Sequence, residues 1–267
     1  MKDFMSEKCE GFQNAEYCVQ IIKPTRDDYQ NRKEYFWLVQ SFNVLSNYFG
    51  IAQVRVVLMA LLCAKDNNLI STKDFKQVIQ FLENFHFAYT AVMSEKANRL
   101  DGIYSKFSIA IRKSSSKNQT KEIIQSKLYA CLIPLIPTEE QFTEQFITFC
   151  FTKKATAANM KCKYALQKLN CYYQKKEIFE DDSSIEHILL ECNEGNVTNV
   201  GNLIMLEGNL NTEADRIDYA EKLKVYEKSN YKWVHEFTNK HSVWEEKMIG
   251  NRARSMAALY YHAILKF

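Results

Sequence analysis

Four polar residues between positions 184 and 211 have the types and spacing needed for hydrolytic chemistry. His187 directly follows Glu186, and Asn202 and Asn211 come next along the chain. A neutral imidazole accepts a proton from water near neutral pH, and carboxylate and amide oxygens suit Mg²⁺ or Mn²⁺. A divalent cation stabilises the charge that develops during phosphodiester hydrolysis. These residues therefore predict a metal-dependent phosphodiesterase site, and a structural hairpin that is merely polar is the alternative.

Two strands and a helix must hold these residues at fixed distances. "SIEHILL" is typical of a short strand, and "VGNLIMLEG" of a second strand that follows the turn-rich "CNEGNVTN". A helix is expected over "EADRIDYAEKLKVYEKS", and a long helix over the final "SVWEEKMIGNRARSMAALYYHAILKF". A hairpin followed by a helix supplies the rigidity that a histidine, a carboxylate and an amide need to act together.

The chain before this unit has the pattern of a helical domain. From about residue 34 to residue 173 the apolar side chains recur at helical spacing. Ser71 and Thr138 each precede such a run and are expected to be helix N-caps. The polar segment 112–121, "RKSSSKNQTK", is expected to be a loop. The predicted fold class is mainly α, a helical domain followed by a small α+β domain.

The net charge of +3 conceals an uneven distribution, because basic residues are in excess up to position 176 and acidic residues after it. This change predicts an N-terminal segment 1–33 of uncertain structure, a helical basic domain 34–176 and a small domain 177–267. The eight cysteines include no CxxC pair. The most apolar segment is too short and too charged to span a bilayer, so a reduced, cytoplasmic protein without a membrane segment is expected.

A stretch of positive charge precedes the small domain. No acidic residue occurs between Gln145 and Lys176, and Lys161, Lys163 and Lys168 lie in this stretch among tyrosines. Basic residues interleaved with aromatic ones are typical of a surface that follows a phosphate backbone. A solvated helix face is the alternative. Because the stretch runs directly into the segment of His187, we expect it to hold DNA for the hydrolytic site.

The polar segment resembles a known nuclease motif. Glu186 and His187, then "GNL" with Asn202 and "LN" with Asn211, resemble the HNH (ββα-metal) motif. More narrowly, "IEHIL … VGNLIML … LN … EKLKVY … W … I-x-x-R" is similar to the C-terminal nuclease domain of GmrSD-type restriction proteins, prokaryotic defence enzymes whose best-known members cut DNA with modified bases. The preceding helical region, "FGIAQVRVVLMALL" included, also resembles their middle portion.

The resemblance implies a role for each matching residue. His187 would be the general base that activates water. Glu186 and Asn211 would hold Mg²⁺ or Mn²⁺, although Glu186 could instead face solvent while one of the acidic residues 181 and 182 supplies the carboxylate. Asn202 would brace the hairpin and orient His187, a role close to that of a simple turn residue.

Two further matching positions carry cations. The resemblance implies that Lys222 or Arg252 meets a phosphate of the substrate. Either side chain could instead pair with an acidic neighbour.

The chain departs from the family in two places. It reads "HILLE" where the family usually has "HILP", and it has no Asp-Gly-Gln-type nucleotide-hydrolysing motif or glycine-rich phosphate loop. We therefore expect a fragment, a short form or one subunit of a split system, with the nucleotide-hydrolysing domain on a partner. The leading hypothesis is an HNH-type endonuclease acting on DNA, modified or not, in restriction or anti-phage defence, with RNA as an open alternative substrate. The second hypothesis is a helical interaction subunit whose nuclease-like end is inactive or completed by a partner.

Overall fold

The computed structural model describes residues 15–152, 156–190 and 196–267. The chain divides into two compact units between Ile136 and Pro137, with Phe267 assigned to the first. The division falls before the change in charge at position 176, so the basic stretch belongs to the second unit. The start of segment 1–33, Cys9, Cys192 and the lysines 153 and 154 of the basic stretch lie outside the described residues. Within the described part of the chain, no helix has the length and apolar character needed to cross a membrane.

The described part of the first unit is helical. Its helices are α1 (residues 15–22), α2 (Phe36–Asn43), α3 (Arg55–Asp66), α4 (Thr72–His86), α5 (Asp101–Arg112), α6 (Lys117–Ile123) and α7 (Ala130–Leu132). Helices α2, α4 and α6 continue in π-helical turns over Val44–Tyr48, Phe87–Val92 and Ile124–Tyr129. Their apolar faces form an aromatic-rich core that includes Phe42, Leu58, Leu82, Phe85 and Phe107, all with no exposed area.

The caps expected from the sequence are present. Ser71 is the N-cap of α4, since its hydroxyl accepts a hydrogen bond from the backbone N–H of Asp74 at 3.0 Å. Thr138 forms a capping box with Gln141. The loop predicted over 112–121 is shorter than expected, because the Ser116 hydroxyl caps α6 and starts it within that segment.

The second unit combines helices with one hairpin. Its elements are α8 (Glu139–Phe146), α9 (Ala157–Gln174), β1 (Ser183–His187), β2 (Leu203–Glu207), α10 (Gly208–Glu213), α11 (Tyr219–Tyr226), α12 (Lys232–Lys240) and α13 (Glu246–Leu259). Helix α13 continues in a π-helical turn over Tyr260–Leu265. The mainly helical fold with a small α+β part agrees with the sequence prediction.

Strands β1 and β2 pair antiparallel, with Ser183 opposite Glu207 and His187 opposite Leu203. The residues of β2 from Leu203 to Leu206 are fully buried, because α9, α10 and α12 all pack against this strand. Burial on both faces explains why β2 is a continuous apolar run in the sequence. The hairpin is thus held inside the unit, and its polar residues lie at the end of β1.

The helix predicted over residues 213–229 begins later than expected, and the short helix before it was not predicted. The short helix α10, which contains Asn211, follows β2 directly, and α11 begins only at Tyr219. The interruption lies at Arg216, whose φ of 61° is left-handed and incompatible with a continuous α-helix. Asp218 then caps α11, accepting from the N–H of Glu221 at 2.9 Å. The prediction of one unbroken helix from residue 213 is therefore wrong.

Candidate active site

A cavity of about 560 Å³ opens at the end of β1 and beside α10. Four of the residues singled out in the sequence line it together, namely Glu186, His187, Asn211 and Lys222. The strand supplies the first two, and Asn211 comes from the helix that follows β2. Residues separated along the chain are thus brought to one concave surface, as hydrolytic chemistry requires.

His187 is the last residue of β1, and a hydrogen bond of its ring holds the side chain in position. Its Nε2 lies 3.1 Å from the backbone oxygen of Phe151. A carbonyl oxygen only accepts hydrogen bonds, so this contact places the proton of the neutral imidazole on Nε2. The lone pair is then on Nδ1, the nitrogen that can accept a proton.

Glu186 is buried, and its Oε1 accepts hydrogen bonds from Lys222 Nζ at 2.6 Å and from Tyr226 OH at 3.0 Å. Burial raises the pKa of this carboxyl above its usual range, and the charge of Asp215 adds to the rise, whereas Lys222 and Tyr226 oppose it. Because the side chain is only 5% exposed, the alternative that it faces solvent is wrong. Neither of the acidic residues 181 and 182 is among the described residues that line the cavity.

Asn211 is anchored against β1 beside Glu186. Its amide Nδ2 donates hydrogen bonds to the hydroxyl of Ser184 and to the backbone oxygen of Ile185, the latter at 3.2 Å. These bonds use the donor end of the amide, and its Oδ1 is the atom suited to a cation. The side chain is half-buried, consistent with its place in the wall of the cavity.

Asn202 has no exposed area and braces the segment after His187. Its Oδ1 accepts from the N–H of Leu189 at 2.9 Å and from Trp244 Nε1 at 3.0 Å. Its Nδ2 donates to the backbone oxygens of Leu189 and Val197 at 2.9 and 2.7 Å. Four hydrogen bonds satisfy the amide and leave it no role beyond structural support.

The two cations expected to meet a phosphate have partners within the protein. Lys222 pairs with an acidic neighbour, as the alternative prediction stated. Its Nζ forms an ion pair with Glu186 and also donates to the backbone oxygen of His187 at 2.5 Å. Arg252 has no acidic partner among the described residues, and its contact with a phosphate stays a prediction. Its Nη1 donates to the backbone oxygens of Gly201 and Leu203 at 2.7 and 2.9 Å. In these positions both cations support the hairpin.

Aromatic rings surround the guanidinium of Arg252. It lies 4.8 Å from the ring centre of Phe237, 5.6 Å from that of Trp233 and 5.9 Å from that of Trp244. Burial lowers the pKa of Arg252 to about 10, and the ring faces compensate part of the lost hydration. There is also no space for a side chain at Gly201, whose backbone oxygen accepts from Arg252. A Cβ there would lie 2.1 Å from the backbone oxygen of Ile249.

Three lysines of the basic stretch are less exposed to solvent than the sequence predicts. Lys161, Lys163 and Lys168 are half-buried on α9, between positions of the helix that pack into the unit. Burial lowers the pKa of Lys161, and Lys168 Nζ lies 5.7 Å from the ring centre of Tyr164. The helix is thus neither a continuous basic face nor a solvated one. Its contact with DNA stays a prediction.

Two charged residues of the cavity were not identified from the sequence. Asp215 and Arg216 line it beside Asn211, and their side chains, 60% and 84% exposed, interact at 3.5 Å. Asp215 follows Asn211 by one helical turn, a spacing that signals a shared face. Arg216 is an accessible cation at this cavity, in the place where Lys222 and Arg252 were expected to act.

The donor set suits a hard cation bound by few protein ligands. Among the described residues no group of three or more His, Cys, Asp or Glu side chains could hold a metal ion. Mg²⁺ keeps several waters and needs only one or two carboxylates beside other oxygens. The Glu186 carboxylate, the Asn211 amide and the nearby Asp215 offer such oxygens in one cavity.

The fold and the cavity define a mainly helical domain whose buried hairpin carries a polar, enzyme-like site. Residues 136–259 match the family described as GmrSD restriction endonucleases, C-terminal domain. The matched part nearly coincides with the second compact unit. The match begins well before the strands, so the family domain includes α8 and α9. A comparison with curated proteins gave no match.

Proposed function

We propose that the second unit is a metal-dependent DNA endonuclease of the HNH type. The observation that carries the proposal is the single cavity lined by Glu186, His187 and Asn211, in a part of the chain that matches a restriction endonuclease family. The order strand, strand, helix at this cavity supports the same assignment.

Each residue of the cavity has a chemical task in this proposal. Glu186 and Asn211, with Asp215 beside them, would hold Mg²⁺ or Mn²⁺. Such a cation, when bound, stabilises negative charge on the phosphate and the leaving oxygen. His187 accepts a proton at Nδ1 from the water that attacks phosphorus, and the bond from phosphorus to the leaving oxygen then breaks. The contact of Nε2 with the Phe151 carbonyl keeps the ring in the required tautomer.

In this proposal, exposed cations near the cavity bind the phosphate. Arg216 is the residue we assign to this task, because its side chain is accessible whereas Lys222 is buried. The half-buried Lys161, Lys163 and Lys168 would add long-range attraction for the backbone of DNA. Binding should then weaken steeply with salt, and replacing these three lysines should lessen that dependence.

A second candidate is a nuclease-like unit that is inactive by itself. The ion pair of Glu186 with Lys222 favours it, because the lysine already neutralises the carboxylate that would hold the cation. In this case a partner would complete the site, and the chain would act as an interaction subunit.

The deciding experiment is cleavage of plasmid DNA and of modified phage DNA with Mg²⁺ or Mn²⁺, beside EDTA and RNA as separate arms. His187→Ala should abolish cutting. His262→Ala is the matched control, because His262 pairs with Glu139 and is 63% exposed outside the cavity. Metal-dependent cutting that survives His187→Ala would refute the proposed base. Absence of cutting by a folded protein with either metal favours the second candidate.

A further inference from the structure

A second cavity, of about 710 Å³, lies on the other helices of the same unit. Residues of α9, α12 and α13 line it, among them Tyr173, Trp233, Phe237 and Arg252. Among the described residues it shares no lining residue with the His187 cavity. Its volume falls in the range of small-molecule sites, about 300–1,000 Å³.

The wall of this cavity is aromatic and apolar. The rings of Tyr173 and Trp233 stack, with centres 5.9 Å apart and planes inclined by 7°. Phe237, Met256 and Leu259 add apolar surface. Flat apolar walls of this kind bind planar rings by stacking and by burial of area.

Among the described residues, one cation that lines the cavity has no acidic partner. Lys240 at the rim pairs with Glu236, and Lys247 pairs with Glu245. Arg252 has only backbone oxygens and ring faces around its guanidinium, and its buried Nη2 has no hydrogen-bond partner among the described residues. A buried cation without a counter-charge is unfavourable, and an unsatisfied buried donor adds to the penalty. A ligand with an anionic group would supply both the charge and the acceptor.

We infer that this cavity is a second binding site, for a ligand that carries a planar ring and an anionic group, the chemistry of a nucleotide. The ring stacks within the wall formed by Tyr173, Trp233 and Phe237, and the anion lies at Arg252. The ligand is either a free mononucleotide or one nucleotide of a nucleic acid. The inference is independent of the proposed nuclease activity.

Occupation of this site would reach the hairpin through Arg252. The guanidinium holds the backbone oxygens of Gly201 and Leu203, on either side of Asn202. Trp244, a ring neighbour of Arg252, donates to the Asn202 side chain. A ligand that binds the same guanidinium therefore affects the residues that brace the segment after His187.

The test is a calorimetric titration with 2′-deoxynucleoside 5′-monophosphates, the matching nucleosides and inorganic phosphate. Arg252 itself is unsuitable for substitution because it holds β2. Ser255 is exposed, lines the cavity and makes only an i−4 hydroxyl bond to Asn251. Ser255→Trp fills the cavity mouth, and Ser126→Trp is the matched control, since Ser126 is an exposed helical serine with the same kind of bond to Glu122.

The monophosphates should bind at least about tenfold more tightly than the nucleosides or phosphate alone. Ser255→Trp should weaken binding by a similar factor, while Ser126→Trp leaves it unchanged. A short single-stranded oligonucleotide provides the second arm. Binding of the oligonucleotide alone, lost in Ser255→Trp, assigns the site to nucleic acid. No binding in either arm, or equal binding by Ser255→Trp, overturns the inference.

Discussion

The buried pair of Lys222 and Glu186 gives the sharpest stability prediction. The two side chains are 2% and 5% exposed, and Lys222→Met would leave the carboxylate with Tyr226 as its hydrogen-bonding side chain. Removing one partner of a buried pair costs about 3–5 kcal/mol. The matched control is Lys228→Met, because Lys228 and Glu213 form a pair that is 55% and 46% exposed, for which about 0–1 kcal/mol is expected.

The cost of Lys222→Met should depend on pH in a known direction. Burial already raises the pKa of Glu186 above 4.5, and loss of Lys222 removes a cause that lowers it. The native carboxyl then binds a proton at pH values where the unfolded carboxyl has lost it, so stability falls as pH rises through this window. The penalty should be largest near about pH 8, smaller near about pH 5, and mostly relieved in the double variant with Glu186→Gln.

Urea unfolding followed by tryptophan fluorescence measures this penalty, because two of the three tryptophans, Trp233 and Trp244, lie in the second unit. The reasoning is refuted if Lys222→Met costs no more than Lys228→Met near about pH 8. A penalty that grows on acidification would refute the pH argument by itself.

Two further substitutions test the packing and the titration of buried groups. Gly201→Ala should destabilise the second unit by more than about 3 kcal/mol in urea unfolding, since its Cβ would lie 2.1 Å from the Ile249 oxygen. Gly250→Ala, with open space around its Cβ, should be neutral or stabilising by up to about 1 kcal/mol, and similar losses in both variants would contradict the account. Burial lowers the pKa of His86 from 6.5 to about 3, so unfolding experiments should show stability falling by up to about 1.4 kcal/mol per pH unit below 6.5. His86→Gln should flatten that slope, and an unchanged slope would show that other groups cause it.

Local signals in the sequence were sufficient for the caps, the strands and the grouping of the polar residues. Ser71 and Thr138 were recognised because a cap depends on residues within one turn. His187 and Asn211 were assigned to one site because their residue types and spacing resemble the HNH motif.

Features that depend on tertiary contacts were not predicted from the sequence. The left-handed φ at Arg216 has no strong local signal, so the break between α10 and α11 was missed. The ion pair of Lys222 and the aromatic surroundings of Arg252 depend on residues far along the chain. The same holds for the burial of α9, whose lysines were interpreted as a surface because their spacing does not reveal which face packs inward.

The bonds of α13 and its N-terminal flank to the hairpin also determine when the site can form. The hydrogen bond from Trp244 to Asn202 joins residues 42 positions apart, and that from Arg252 to Gly201 joins residues 51 positions apart. A ribosome therefore completes both strands well before it makes the residues that brace them. Contacts so distant in sequence form late in folding. The segment around His187 thus acquires its bracing only after both strands have been made, and until then a growing chain carries the candidate site residues without the geometry of the folded unit.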